Sequence, residues 1–291
     1  MKAVTANPTF TSKNMNGLWG NNVMERISRG GQIQVYMGKC FRLFINERGY
    51  KLLVSAAIIA VIISWVSGDD MFRTFSGTRS GAFALVCACI WIGVFNSIQS
   101  ICRERAIIKR EYRTGLYISS YITAHMLYEM ILCFVQALIV TIIVLIIRDA
   151  PSSGVFLPAG LELFITFFWV IYSADVLGMA VSCIVKNETA AMTAMPFVLI
   201  IQLVMSGAVF SLDGAASVIS HFTISRWGVN AICTTANVAN MPEIFWADVN
   251  RADFEFVASN LIGMWFTLIA FTLLYGIIGI LFLKSIDKDK R

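Results

Sequence analysis

Apolar residues in this chain come in long runs rather than in alternation. Six stretches are almost free of charge, at 52–68, 80–102, 114–147, 163–185, 189–212 and 256–283, and only Glu129 and Asp175 interrupt them. A hydrocarbon core about 30 Å thick takes roughly 20 helical residues to cross, and a helix satisfies its own backbone where no water can. The pattern therefore predicts an all-α integral membrane protein with six transmembrane helices, at about 52–68, 80–102, 122–147, 163–185, 189–212 and 256–283. The first of these has 17 residues and needs support from its flanks.

The connections carry their own patterns. Residues 1–32 are polar and rich in Asn, Gly, Ser and Thr, which predicts a flexible arm. Across 33–50, Val35, Tyr36, Cys40, Phe41, Leu43 and Phe44 interleave with Lys39 and Arg42, so that a helix would have one apolar and one basic face. That predicts an amphipathic helix on the membrane surface before the first span, against the simpler reading of an extension of that span. Residues 103–117 are dense in charge and in helix formers, and Gly115 is a stop signal. This segment reads equally as a docking helix and as a basic loop that enforces topology. The connection at 213–255 is long, apolar and poor in charge, and is expected to dip partly into the membrane before the sixth span. The domain division is then 1–32, 33–50, a permease body at 51–284 and a tail at 285–291.

Composition sharpens this picture. Hydrophobic residues make up 57% of the 291 and charged residues 14%, about half the usual share in soluble domains. Counted on alternate sides of the six spans, Lys and Arg divide 18 to 5, which places the arm, the 103–117 segment and the tail in the cytoplasm. The first 51 residues hold no apolar core of signal-peptide length. The net charge of +5 thus expresses topology and contact with lipid headgroups, not nucleic-acid binding. Of seven cysteines, Cys233 is the one expected on the exterior, where a bridge between two copies and a buried thiol are the alternatives.

Catalytic chemistry is hard to find. Gly38-Lys39 lacks the spacing of a phosphate-cradling loop, and Ser28-Arg29-Gly30-Gly31-Gln32 is a chance fragment of an ATPase signature. His125 and His221 have no ligand partners at metal spacing, and no nucleophile-base grouping is visible. The chain is not expected to be an enzyme or to carry a cofactor or metal. Intramembrane charge is costly. Glu129 is expected to pair with Arg or Lys of the 103–117 segment, and Asp175 to face an aqueous cavity or to meet Gln136, Gln202 or Asn96. Small residues such as Ser173, Ala174 and Gly178 predict close helix packing.

These features together resemble the membrane domain of type 2 ABC exporters, in particular the G subfamily that includes the pigment and sterol transporters. The resemblance covers 34–283 and is carried by the amphipathic helix, by Glu104, Glu111-Tyr112, Gly115, Tyr117, Ser120-Tyr121 and Leu127-Tyr128-Glu129, and by Ser206-Gly207 and Ser225-Arg226-Trp227-Gly228. It implies a half-transporter that pairs with a second copy or a homologous permease and holds substrate between the second and fifth spans. A separate ABC ATPase subunit would bind ATP and Mg. By position, Glu104, Arg105, Lys109, Glu111, Tyr112 and Gly115 would couple that ATPase to the spans. The cavity would fall at Cys89, Ile92, Asn96, Leu199 and Leu203, with the family's leucine gate replaced by the smaller Ala208 and Val209. A proline common after the acidic residue of the third span is replaced by Leu132.

The reading that follows is an exporter permease in a prokaryotic cell membrane, moving a hydrophobic or amphipathic substrate by alternating access. An ion-coupled secondary transporter using Asp175 or Glu129 and a non-transporting membrane scaffold are the alternatives.

Overall fold

The computed structural model describes residues 28–151, 153–208, 210, 214–241 and 254–285. Val209 and most of the 1–32 arm lie outside them. The described residues are helical throughout, with no strand.

Helix α1 (Arg29–Asn46) starts where Ser28 turns its hydroxyl to accept the Gly31 amide at 3.2 Å. Ser28, Gly30 and Gly31 are thus a cap and a first helical turn, which accounts for that short sequence without any nucleotide. Arg48 adopts a left-handed conformation at φ 58°, and the chain bends by 70° into α2 (Tyr50–Val66). A Cβ on Gly49 would strike the Phe44 ring, so the bend needs glycine there.

Helix α2 buries Ala56, Ala60 and Ser64, one small residue per turn, and exposes Val54, Ile58, Ile62 and Trp65 on the far side. Helix α3 (Phe75–Ser97) begins at a Thr74 cap and is followed, after a break at Ile98 and Gln99, by α4 (Ser100–Arg113). The two make a run of 39 residues, close to 60 Å at 1.5 Å per residue, twice a hydrocarbon core. The charged 103–117 segment is therefore the far end of a near-continuous rod, not a free loop.

Helices α5 (Ile118–Ile147) and α6 (Ala159–Ile184) follow, with α7 (Glu188–Val204) beside them. Helix α6 is the central post, because Leu163, Phe167, Val170, Ile171, Ala174 and Met179 are all buried. Two short helices, α8 (Ala215–Ser220) and α9 (Ile224–Thr235), precede α10 (Ala258–Leu283). Almost all of α9 is buried.

Among the described residues, four runs are long and apolar enough to cross a membrane, namely α3 with α4, α5, α6 and α10, and the bent α1–α2 pair makes five. The predicted fifth span is shorter than 189–212. Helix α7 stops at Val204 after 17 residues, with Pro196 inside it and Gly207 at φ 71° in the turn beyond. At about 25 Å it matches α2 in length and lies at the short end of what can span the core. Apolar composition continued past the point where the backbone turned.

Candidate functional site

Helix α4 is held from two sides. Toward α1, Lys39 pairs with Glu104 at 2.7 Å, and Tyr121 of α5 donates to the same carboxylate oxygen at 3.0 Å. One helical turn pair further on, the Tyr36 hydroxyl donates to Glu111 at 2.8 Å. Gln32 closes the row, donating to the Gly115 carbonyl and accepting from the Tyr117 amide. Arg103 makes two bonds to Glu47, at 3.0 and 3.1 Å. Residues 32, 36 and 39 on one helix thus meet 115, 111 and 104 on the other, as antiparallel neighbours should.

Toward α6 the contacts are made to its C-terminus. Arg105 donates to the carbonyls of Cys183 and Val185, at 2.9 and 3.0 Å, where the last turn of α6 leaves acceptors open. The Ser182 hydroxyl accepts from the amides of Ile101 and Cys102 and so satisfies the first turn of α4. Gly115 ends the helix at φ 111°, as the sequence predicted. Tyr112 packs against the buried cluster of Ile101, Ile108, Leu116 and Met179, and Lys109 is half-buried. Ala106, Ile107, Arg110, Arg113 and Thr114 remain exposed, and their spacing puts them on one face. Burial and the Glu111 carboxylate beside it raise the Tyr36 phenol well above its ordinary value, so it stays a donor.

The expected cavity residues divide. Leu199 and Leu203 line an apolar groove of about 170 Å³ with Cys87, Ile90, Trp91 and Pro196. Cys89 and Ile92 are instead buried in the core. Gly93 sets that face, because its backbone lies against the Ile171 carbonyl and the Asp175 amide of α6. Asn96 pairs with Gln136 at 2.8 and 3.1 Å. Ala208 sits in the turn after α7, its amide bonded to Ser206.

Glu129 departs from expectation, and Asp175 lies beside Asn96, one of its expected partners, without a hydrogen bond to it. Glu129 meets neither Arg nor Lys among the described residues, and its Oε2 is buried without a hydrogen bond. Of the basic side chains expected there, Arg103 is committed to Glu47 and Arg105 to the carbonyls of Cys183 and Val185. Both carboxylate oxygens of Asp175 are buried and make no hydrogen bond, while its backbone carbonyl accepts from Ser97. Gln136 is taken by Asn96, and Gln202 by the amides of Ile224 and Ser225 at the start of α9.

Several polar anchors escaped the sequence reading. Glu162 is fully buried and accepts the amides of Val155, Phe156 and Leu157 at 2.9–3.0 Å. Arg148 reaches the carbonyls of Ser64 and Trp65 at the end of α2 and pairs with Asp69 at 2.5 Å. Their signal was position, a carboxylate in a first turn and a cation beside a helix end. Cys233 is fully buried, so no exposed thiol is offered there for a bridge between copies.

Two comparisons bear on this arrangement. An ABC transporter ATP-binding/permease protein of Mycobacterium tuberculosis is 28% identical over 214 residues, which is 69% of this chain and 25% of that relative. The chain thus spans about a quarter of the length of the curated relative it matches. The ABC-2 type transporter family matches residues 31–236, from the first turn of α1 through α9, so the clasped α1–α4 pair and the central α6 all lie inside the match. This domain is a multi-pass transmembrane permease rather than a nucleotide-binding unit, and permeases of its kind work with ABC ATPase subunits. The chain belongs to the ABC-2 type transporter family.

Proposed function

We propose that this chain is the membrane-spanning permease subunit of an ABC-type exporter, carrying a hydrophobic or amphipathic substrate across the cell membrane by alternating access. It crosses six times, through α2, α3, α5, α6, α7 and α10, with both termini in the cytoplasm. ATP and Mg are bound by an ABC ATPase that works with this permease, and a second permease, identical or homologous, completes the pathway.

The observation that carries this reading is the double anchorage of α4. Glu104 and Glu111 tie it to α1, while Arg105 and the Ser182 hydroxyl tie it to α6. A push on the exposed Ala106–Ile107–Arg110 face would therefore move α1, α4 and the central helix as one body rather than bend a loop. The apolar groove beside Leu199 and Leu203 is the place where a second copy would complete a substrate cavity.

Copurification tests the partnership: tagged protein in mild detergent should retain an ABC ATPase. Ile107→Asp, on the exposed face, should leave folding intact and cut transport-linked ATP hydrolysis at least tenfold. Preserved linkage in that variant would refute the role of α4.

A second reading rests on Asp175, whose carboxylate oxygens make no hydrogen bond in the core. Ion-coupled transport would follow a pH gradient, ignore ATP and disappear in Asp175→Asn. The exporter reading expects flux that needs ATP and survives collapse of the gradient.

A further inference from the structure

A cavity of about 570 Å³ opens between α1, α2, α3, α4 and α5, apart from the groove beside α7. Its size is that of a small-molecule site. Leu43, Phe44, Leu52, Phe95 and Tyr128 give it apolar walls. Asn96, His125 and Glu129 also line it, His125 and Glu129 one turn apart on α5. At the mouth stand Arg48, Lys51 and Arg103, all exposed.

The charges are not equivalent. Arg103 is bound to Glu47, and Glu104 is bound to Lys39 and Tyr121. Arg48 and Lys51 are open to water, which screens them. Glu129 is the acidic lining group that meets no cation, it is 4% exposed, and its Oε2 has no hydrogen bond. Asp175, which does not line the cavity, lies within electrostatic reach of Glu129. A buried carboxylate facing a cavity without a donor carries a desolvation cost that a cationic ligand would offset. The neighbouring rings of Tyr128 and Phe95 suit an ammonium group as well.

We propose that this cavity binds a protonated amine on an apolar tail, with the ammonium donating to Glu129 and the tail lying against Phe44, Leu52 and Phe95. The site is separate from the groove between the second and fifth spans, and the inference does not depend on how the exporter is powered.

The test uses the full-length chain in neutral phosphatidylcholine nanodiscs, titrated calorimetrically with octylamine, octanol and octanoate against empty nanodiscs. Octylamine should bind at least tenfold more tightly than octanol, and octanoate more weakly than either. Glu129→Gln should weaken octylamine at least tenfold and leave octanol within about twofold. Should that variant fail to fold, Leu52→Trp, which fills the cavity and leaves Glu129 in place, should abolish both octylamine and octanol binding. Octylamine no tighter than octanol, octanoate as tight as octylamine, or octylamine binding untouched by either substitution would each overturn the proposal.

Discussion

Gly93 and Gly178 show how single positions set the distance between α3 and α6. A Cβ at Gly93 would strike the Ile171 carbonyl and sit 2.8 Å from the Asp175 amide, and one at Gly178 would lie 2.7 Å from the Ser97 hydroxyl. At Gly93 backbone meets backbone, so no side chain can rotate away. Gly93→Ala should destabilise the folded protein by about 1–3 kcal/mol, the usual cost of overpacking. Gly263→Ala, which has no atom within 4 Å, should melt like the parent. Equal thermal midpoints for the two variants in detergent would show that the close approach is not what holds these helices. The small residues around Ser173 and Gly178 made close packing legible in the sequence, since small side chains in apolar helices have little other use. The partners of the acidic residues were not legible. Whether Glu129 meets Arg103 depends on where Glu47 ends up, 56 residues away along the chain from its own arginine.

Among elements, the α1–α4 pair is the most consequential. Its contacts were half visible beforehand: the apolar face of α1, Gly115 as a terminator and the acidic residues at 104 and 111 were all readable. That Glu104 and Glu111 face α1 was not, because an exposed-looking charge on a basic helix gives no sign of the Lys39 and Tyr36 that will reach it. The helices follow the charge-poor runs, with the largest mismatch at α7, where hydropathy reports composition and is blind to the turn at Gly207. The Tyr36–Glu111 contact supplies a pH signature. Burial, then Glu111, hold the folded phenol above its ordinary 10, so folding favours the protonated form. Its contribution is complete below about pH 10 and is lost as pH rises toward the folded value, because the unfolded chain ionises first. Thermal midpoints from about pH 9 to 11 should therefore fall more steeply for the parent than for Tyr36→Phe, which should itself lose about 1 kcal/mol at neutral pH with its hydrogen bond. Parallel curves would remove Tyr36 from the clasp.

The ends of the helices, taken over the whole molecule, sort into two layers. Ile101 and Ile108 of α4, Ile118 at the start of α5, Met179 and Cys183 near the end of α6 and Leu283 at the end of α10 share one cluster. At the opposite end, Arg148 after α5 caps α2, while Arg73 pairs with Asp149 at 2.6 Å and Glu162 gathers the loop before α6. The start of α1 and the end of α10 thus belong to the same layer, which is what the six crossings proposed above would produce. Five crossings would put residue 285 opposite residue 114; six put them together. The basic excess falls on this same layer, which is the cytoplasmic one in the orientation proposed above. Single cysteines introduced at Thr114 and Ser285, in a background without the native thiols, should react with an impermeant maleimide only after cells are permeabilised, whereas one at Asp149 should react in intact cells. Labelling of Thr114 and Ser285 from opposite sides would mean that α7 does not cross, and the groove beside Leu199 and Leu203 would then lie in a re-entrant segment instead of along a transport path.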